Sequence, residues 1–181
     1  MGESALNYHQ IWARVEVHLL EFKSAKVRER RAVAESTSAV RWRPPSPNHY
    51  KINFDEAIFF NVGATGLGVV IRDSCGRVIG FLAKRVPLPT STTTVEALAC
   101  RRVLLFAKEL ACVDTAFERD AELIIKALLG REVRHLEYEH VIQDILVLAA
   151  EFRVCKFNHV KCLGNFVAHF LVRRSKSGNV L

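Results

Sequence analysis

Three carboxylates stand where element ends can bring charges together. Asp55 lies near the end of K-I-N-F-D-E-A, a stretch patterned as a strand. Glu96 stands at the start of a strong helical pattern, and Asp120 lies between a short strand-like run and another helix. Acids at the tips of separate elements can converge on one point, and converging carboxylates require a cation. Each also has a plainer reading. A strand-end Asp is ordinarily solvated. Glu96, three residues after Thr93, fits a capping box. Asp120 in a first helical turn suits the helix dipole, an effect worth under about 1 kcal/mol.

The elements that must position these acids follow from pattern. Residues alternate across a strand, so Ile52 and Phe54 share one face while Asn53 and Asp55 share the other. After this first strand, about 50–57, come a loop with two glycines, the β-branched run L-G-V-V-I-R-D, a D-S-C-G turn and R-V-I-G-F-L-A-K, together an antiparallel meander. Gly66 and Gly68 do not form a phosphate loop, because no G-K-S/T follows and a strand comes next. They mark close backbone approach. Val95, Leu98, Ala99, Val103, Phe106 and Leu110 form the stripe of a helix ending near Leu110. The strand V-D-T-A-F-E-R precedes a helix with Asp120 in its first turn and Gly130 at its stop. A helix of about 137–152, the strand R-V-C-K-F-N-H-V and a last helix opening at G-N-F-V complete the order βββαβααβα.

Ahead of this unit, residues 1–36 are expected as an amphipathic helical extension, with Ile11, Val15, Leu19 and Phe22 at helical spacing. Residues 37–48, including W-R-P-P-S-P, are expected as a stiff linker. The folded domain is expected over 49–174, and 175–181 as a frayed tail.

Length and composition bound the rest. The chain has 181 residues, half of them hydrophobic, enough for one domain with a sizeable core plus an extension. A net charge of +7 favours a polyanionic partner or a soluble basic surface. The N-terminus lacks a secretory pattern and no apolar run reaches membrane length, so the expected location is nuclear or cytoplasmic, not secreted and not membrane. Five scattered cysteines, never in C-x-x-C spacing, read as reduced thiols.

The order of elements, with acids where strand one ends, where the first helix starts and where strand four ends, resembles the ribonuclease H type 1 domain. More narrowly it is similar to the plant ribonuclease H-like domain of retroelement origin. The similarity rests on K-I-N-F-D, G-L-G-V-V-I-R-D-S-C-G-R-V-I, T-V-E-A-L-A-C-R-R-V-L-L-F-A-K-E-L, D-A-E-L-I-I-K-A-L, H-V-I-Q-D-I and H-V-K-C-L-G-N-F-V-A-H-F-L, over about 48–174. It implies an α/β ribonuclease H-like fold: a five-stranded mixed sheet with helices on both faces. It implies a Mg²⁺-dependent endonuclease, with two ions, that cuts the RNA strand of RNA–DNA hybrids. Asp55 would bridge the metals, Glu96 would hold one, and Asp120 would be the third ligand. His169 takes the position of the family's fourth acid, where imidazole suits Mg²⁺ poorly.

Three departures bear on activity. Glu56 replaces a glycine beside the first acid. Arg119 precedes the third, where it is placed to pair with Asp120, touch phosphate, or offset Glu56 if both point to one side. K-C-L-G-N loses a charged pair before the last helix, and His159 is left to pack or pair locally. Arg101, Arg102, Lys161, Arg173 and Arg174 are the candidate nucleic-acid contacts. A monomeric hybrid ribonuclease is the leading expectation. The alternatives are a nucleic-acid-binding module that cleaves weakly or not at all, and a folded scaffold derived from a retroelement.

Overall fold

The computed structural model describes residues 42–89, 91–130 and 138–176. The expected helical extension over 1–36, the start of the linker and the tail from 177 lie outside the described residues.

Strands β1 (Tyr50–Phe59), β2 (Ala64–Arg72) and β3 (Val78–Pro87) form the meander. Helix α1 (Thr92–Glu109) leads to β4 (Asp114–Arg119), α2 (Glu122–Leu128), α3 (Glu139–Ala149), β5 (Val154–His159) and α4 (Cys162–Ser175). The sheet order is β3-β2-β1-β4-β5. β1, β2 and β3 pair antiparallel, while β4 runs parallel to both β1 and β5. The order expected from sequence pattern is the order observed.

Helices cover both faces. Ile52 and Phe54 of β1, with Leu67, Val69 and Ile71 of β2, share one core with α1, α2 and α3. Phe117 of β4 anchors it, edge-on to Phe152 and stacked on Phe157, with centroids 5.6 and 5.3 Å away. Such pairs add about 0.5–1.5 kcal/mol beyond burial. Among the described residues helix α4 covers the other face, against β1, β2, β3 and β4. Coverage on both faces explains why β2 reads as a nearly continuous apolar run, buried at every position but its last.

Two glycines let α4 approach. A Cβ on Gly68 would lie 2.3 Å from the Ala168 carbonyl oxygen and 2.6 Å from the Val172 nitrogen. One on Gly66 would meet Ser175 Oγ at 2.2 Å. Gly68 pairs with Asp55 across the ladder, so the same close approach that seats α4 brings its side chains to Asp55.

Part of the expected linker belongs to the folded unit. Trp42 donates from Nε1 to Asn53 Oδ1 at 2.9 Å, and the Arg72 guanidinium stacks 4.1 Å over its ring. Asn53 donates in turn to Glu118 Oε2, which is ion-paired through Oε1 to Lys51 at 2.8 Å. Helix α1 also differs from expectation. It begins at Thr92 with Ser91 as N-cap, so Glu96 falls beyond the first turn and out of capping position.

Gly68→Ala is expected to destabilise the domain by about 3 kcal/mol, because the added methyl meets backbone that cannot turn aside. Urea unfolding checks this; a midpoint unchanged from wild type would mean α4 does not sit this close.

Candidate active site

Alternation along β1 and β4 sorts the site residues. Asp55 faces α4, where four groups meet. His169 Nδ1 lies 2.8 Å from Asp55 Oδ2, donating to the ionised carboxylate. Asn165, one turn earlier on the same helix face, donates from Nδ2 to Asp120 Oδ1 at 3.2 Å and to the Phe54 carbonyl at 2.9 Å. The β1–β4 ladder stops at Asn53 and Glu118, so this buried amide serves a carbonyl just past the last pair. Burial pushes the Asp55 carboxyl up, the His169 hydrogen bond opposes it, and the charge of Asp120 adds to the rise. His159, expected to pair locally, places Nε2 3.0 Å from the Asp120 carbonyl oxygen.

The opposite face holds a different cluster. Glu56 and Arg119 both face α1. Arg119 Nη2 donates to Glu56 Oε1 at 2.6 Å, and the guanidinium lies over the Phe54 ring, 5.3 Å from its centroid. The Arg119 side chain is 1% exposed. Glu96 Oε2 reaches the same Nη2 at 3.6 Å, too long for a hydrogen bond but close for opposite charges. Burial raises the Glu56 carboxyl to about 7. Arg119 opposes the rise, and the charges of Asp55 and Glu96 add to it. Cys100, one turn after Glu96, is fully buried beside the pair, and burial pushes its thiol up to about 12.

The structure thus brings Asp55, Asp120 and His169 together through α4, and sets Glu96 beside Arg119. Among the described residues no three His, Cys, Asp or Glu side chains are grouped to hold a metal ion. Arg119 pairs with Glu56 at 2.6 Å and stands 3.6 Å from Glu96, the reading in which it offsets Glu56. Mg²⁺ is commonly held by one or two carboxylates with water and phosphate completing its shell. Asp55 and Asp120 are the acids on the α4 side that fit such an ion.

The basic candidates also divide. Arg101 pairs with Asp144 of α3 at 3.1 Å, and Arg102 gives two hydrogen bonds to Glu109 of its own helix, so both are tied to acids. Lys161 and Arg173 are exposed on α4. Arg174 lies 5.5 Å from the Phe170 ring centroid. Two contributors escaped the sequence reading. Arg85 on β3 donates to the Lys176 carbonyl at 3.1 Å, joining the basic end of α4 through a cross-sheet contact that sequence spacing does not reveal. Asn165 was visible only as part of G-N, with nothing local to mark it as a partner of Asp120.

A profile of the family described as reverse transcriptase-like matches residues 53–175. No curated protein sequence matches the chain. Among solved structures, RNase H1 from the halophilic archaeon Halobacterium salinarum aligns with TM-score 0.65 and 19% identity, over 71% of this chain and 98% of that one. LC11-RNase H1, isolated from compost by a metagenomic approach, aligns with TM-score 0.59 and 26% identity, over 70% of this chain and 94% of that one. The same protein in complex with an RNA/DNA hybrid aligns with TM-score 0.59 and 24% identity, over 69% and 94%. The fold is ribonuclease H-like. No helix among the described residues is long and apolar enough to cross a membrane.

Glu56 makes the stability depend on pH. Its folded carboxyl keeps a proton above the ordinary value of 4.5, up to about 7. Between these values the folded state binds more protons than the unfolded, so its contribution is full below 4.5 and is lost as pH rises toward 7. Relative to Glu56→Gln, wild type is expected to lose about 3 kcal/mol across this window. Parallel denaturant curves for the two proteins across the window would refute this.

Proposed function

This chain belongs to the reverse transcriptase-like family, and we propose that its ribonuclease H-like domain binds RNA–DNA hybrids and cleaves their RNA strand slowly, with Mg²⁺. The observation that carries the proposal is the pairing of Asp55 and Asp120 on one face of the sheet, oriented by His169 and Asn165 of α4. The complex of LC11-RNase H1 with an RNA/DNA hybrid supports the choice of partner. The K-I-N-F-D and H-F-L motifs support a plant-type, retroelement-derived origin.

Asp55 and Asp120 would hold the ion, which when bound lowers the pKa of a water and offsets charge on the leaving oxygen. The chain's own side chains do the rest. Asn165 fixes Asp120 by donating to Oδ1, and its second hydrogen bond, to Phe54, ties that carboxylate to the strand bearing Asp55. His169 favours the ionised form of Asp55 by hydrogen bonding to it. Lys161 at the start of α4, with Arg173, Arg174 and Lys176 at its end and Arg85 beside them, lines a path for a phosphate backbone. Arg101 and Arg102, already tied to acids across the sheet, contribute less. The capture of Glu96 by Arg119 favours tight binding with weak turnover over efficient hydrolysis.

Hybrid binding is expected to weaken steeply with salt, with a log–log slope of about 0.9 per phosphate contact by analogy with B-form DNA. Single-turnover assays are expected to show slow Mg²⁺-dependent nicking that Asp120→Asn abolishes without loss of binding. Salt-insensitive binding would remove the phosphate contacts, and undiminished nicking by Asp120→Asn would place the activity elsewhere. Binding without any nicking would leave a binding module and end the claim to catalysis.

A further inference from the structure

Arg119 is a permanent positive charge enclosed by the fold. A guanidinium does not give up its proton in a protein, and at 1% exposure this one must be neutralised from within. Glu56 supplies the near partner at 2.6 Å and Glu96 the second at 3.6 Å. Among the described residues Arg119 Nε and Nη1 have no hydrogen-bond partner, nor do Glu56 Oε2 and Glu96 Oε2. The cluster is therefore held by charge more than by hydrogen-bond geometry. The close pair comes from positions beside the candidate active site: Glu56 follows Asp55 on β1, and Arg119 precedes Asp120 at the end of β4.

We infer that Arg119 is an internal cation that takes the place of a second metal ion, holding Glu96 on the α1 face so that the chain binds one divalent ion and not two. The inference rests on the assignment of Asp55 and Asp120 as the ion-holding pair. Arg119 is in this sense a positioning residue. It stands 3.6 Å from Glu96 Oε2 and so competes with an ion for that carboxylate. A second divalent ion on Glu96 would have to approach a fixed positive charge or draw Glu96 away from it. Drawing it away would leave the buried guanidinium with Glu56 as its one near acid among the described residues, at 2.6 Å. Glu56 and Arg119 are thus coupled. The carboxylate makes the buried arginine tolerable, and the arginine then recruits Glu96.

Mn²⁺ binding, counted by electron paramagnetic resonance of the free ion on the full chain without nucleic acid, tests this. Wild type is expected to bind one Mn²⁺. Asp120→Asn is expected to weaken it by at least about tenfold, as loss of groups supporting a metal commonly does. Glu96→Gln, which keeps the side chain's shape, is expected to change the affinity by no more than about twofold, as for an uncoupled site. The double variant Glu56→Gly with Arg119→Ser is expected to bind two ions, and adding Glu96→Gln to it is expected to return the count to one. Two ions or none in wild type overturns the inference. So does a tenfold loss in Glu96→Gln, or a folded double variant that still binds one. If the double variant does not fold, the comparison of wild type with Glu96→Gln decides alone. Failure of hybrid binding would sink the proposed function without moving these counts, so the two failures are distinguishable.

Discussion

A guanidinium that the fold encloses cannot shed its charge, so the structure around Arg119 must supply opposite charge from buried positions. That constraint organises the α1 face of the sheet. Glu56 turns under α1 and meets Arg119, Phe54 offers its ring beneath the same guanidinium, and Glu96 is drawn into the group from the helix above. Removing one partner of such a pair costs more than the pair contributes, because the remaining charge is left in a poorly solvating place. The pair therefore ties together β1, β4 and α1, the elements on which the candidate active site is built.

The α4 face works by closeness rather than buried charge. Gly66 and Gly68 leave no room for a side chain, so α4 rests almost on the backbone of β2. Its register then sets Asn165 and His169 over Asp120 and Asp55. Asn165 links fold and site in one residue, since the same amide satisfies a carbonyl of β1 and orients the carboxylate after β4. The two acids on this face approach through the parallel pairing of β1 and β4, whose carboxyl ends lie side by side. Basic residues stand at both ends of the same helix, Lys161 at its start and Arg173, Arg174 and Lys176 at its end.

Much of this was legible in residue order. The apolar alternation of K-I-N-F-D, the unbroken apolar run of β2, and the helical stripe from Val95 to Leu110 each point to one element type, because strand and helix periods differ. The glycine pair read as close backbone approach found its partner in α4. The site was less legible. Thr93 and Glu96 suggested a capping box, yet a helix can start at any nearby small polar residue, and it starts after Ser91. Trp42 was read with the prolines around it as linker, while its indole anchors to Asn53, a contact that depends on the β-sheet already being formed.

The sequence by itself determined which acids stand at element ends and, through strand alternation, that Asp55 and Glu56 must part to opposite faces. It also carried the order of elements that makes β1 and β4 parallel neighbours. Only the tertiary structure decided that Arg119 faces the same way as Glu56, that Asp120 and Asp55 both meet α4, and that Glu96 stands beside the arginine. Alternation fixes relations within a strand, whereas these choices depend on the register between strands and on the roll of a helix over the sheet. Both are set by packing among residues far apart in the chain, where a single buried charge can outweigh a local pattern.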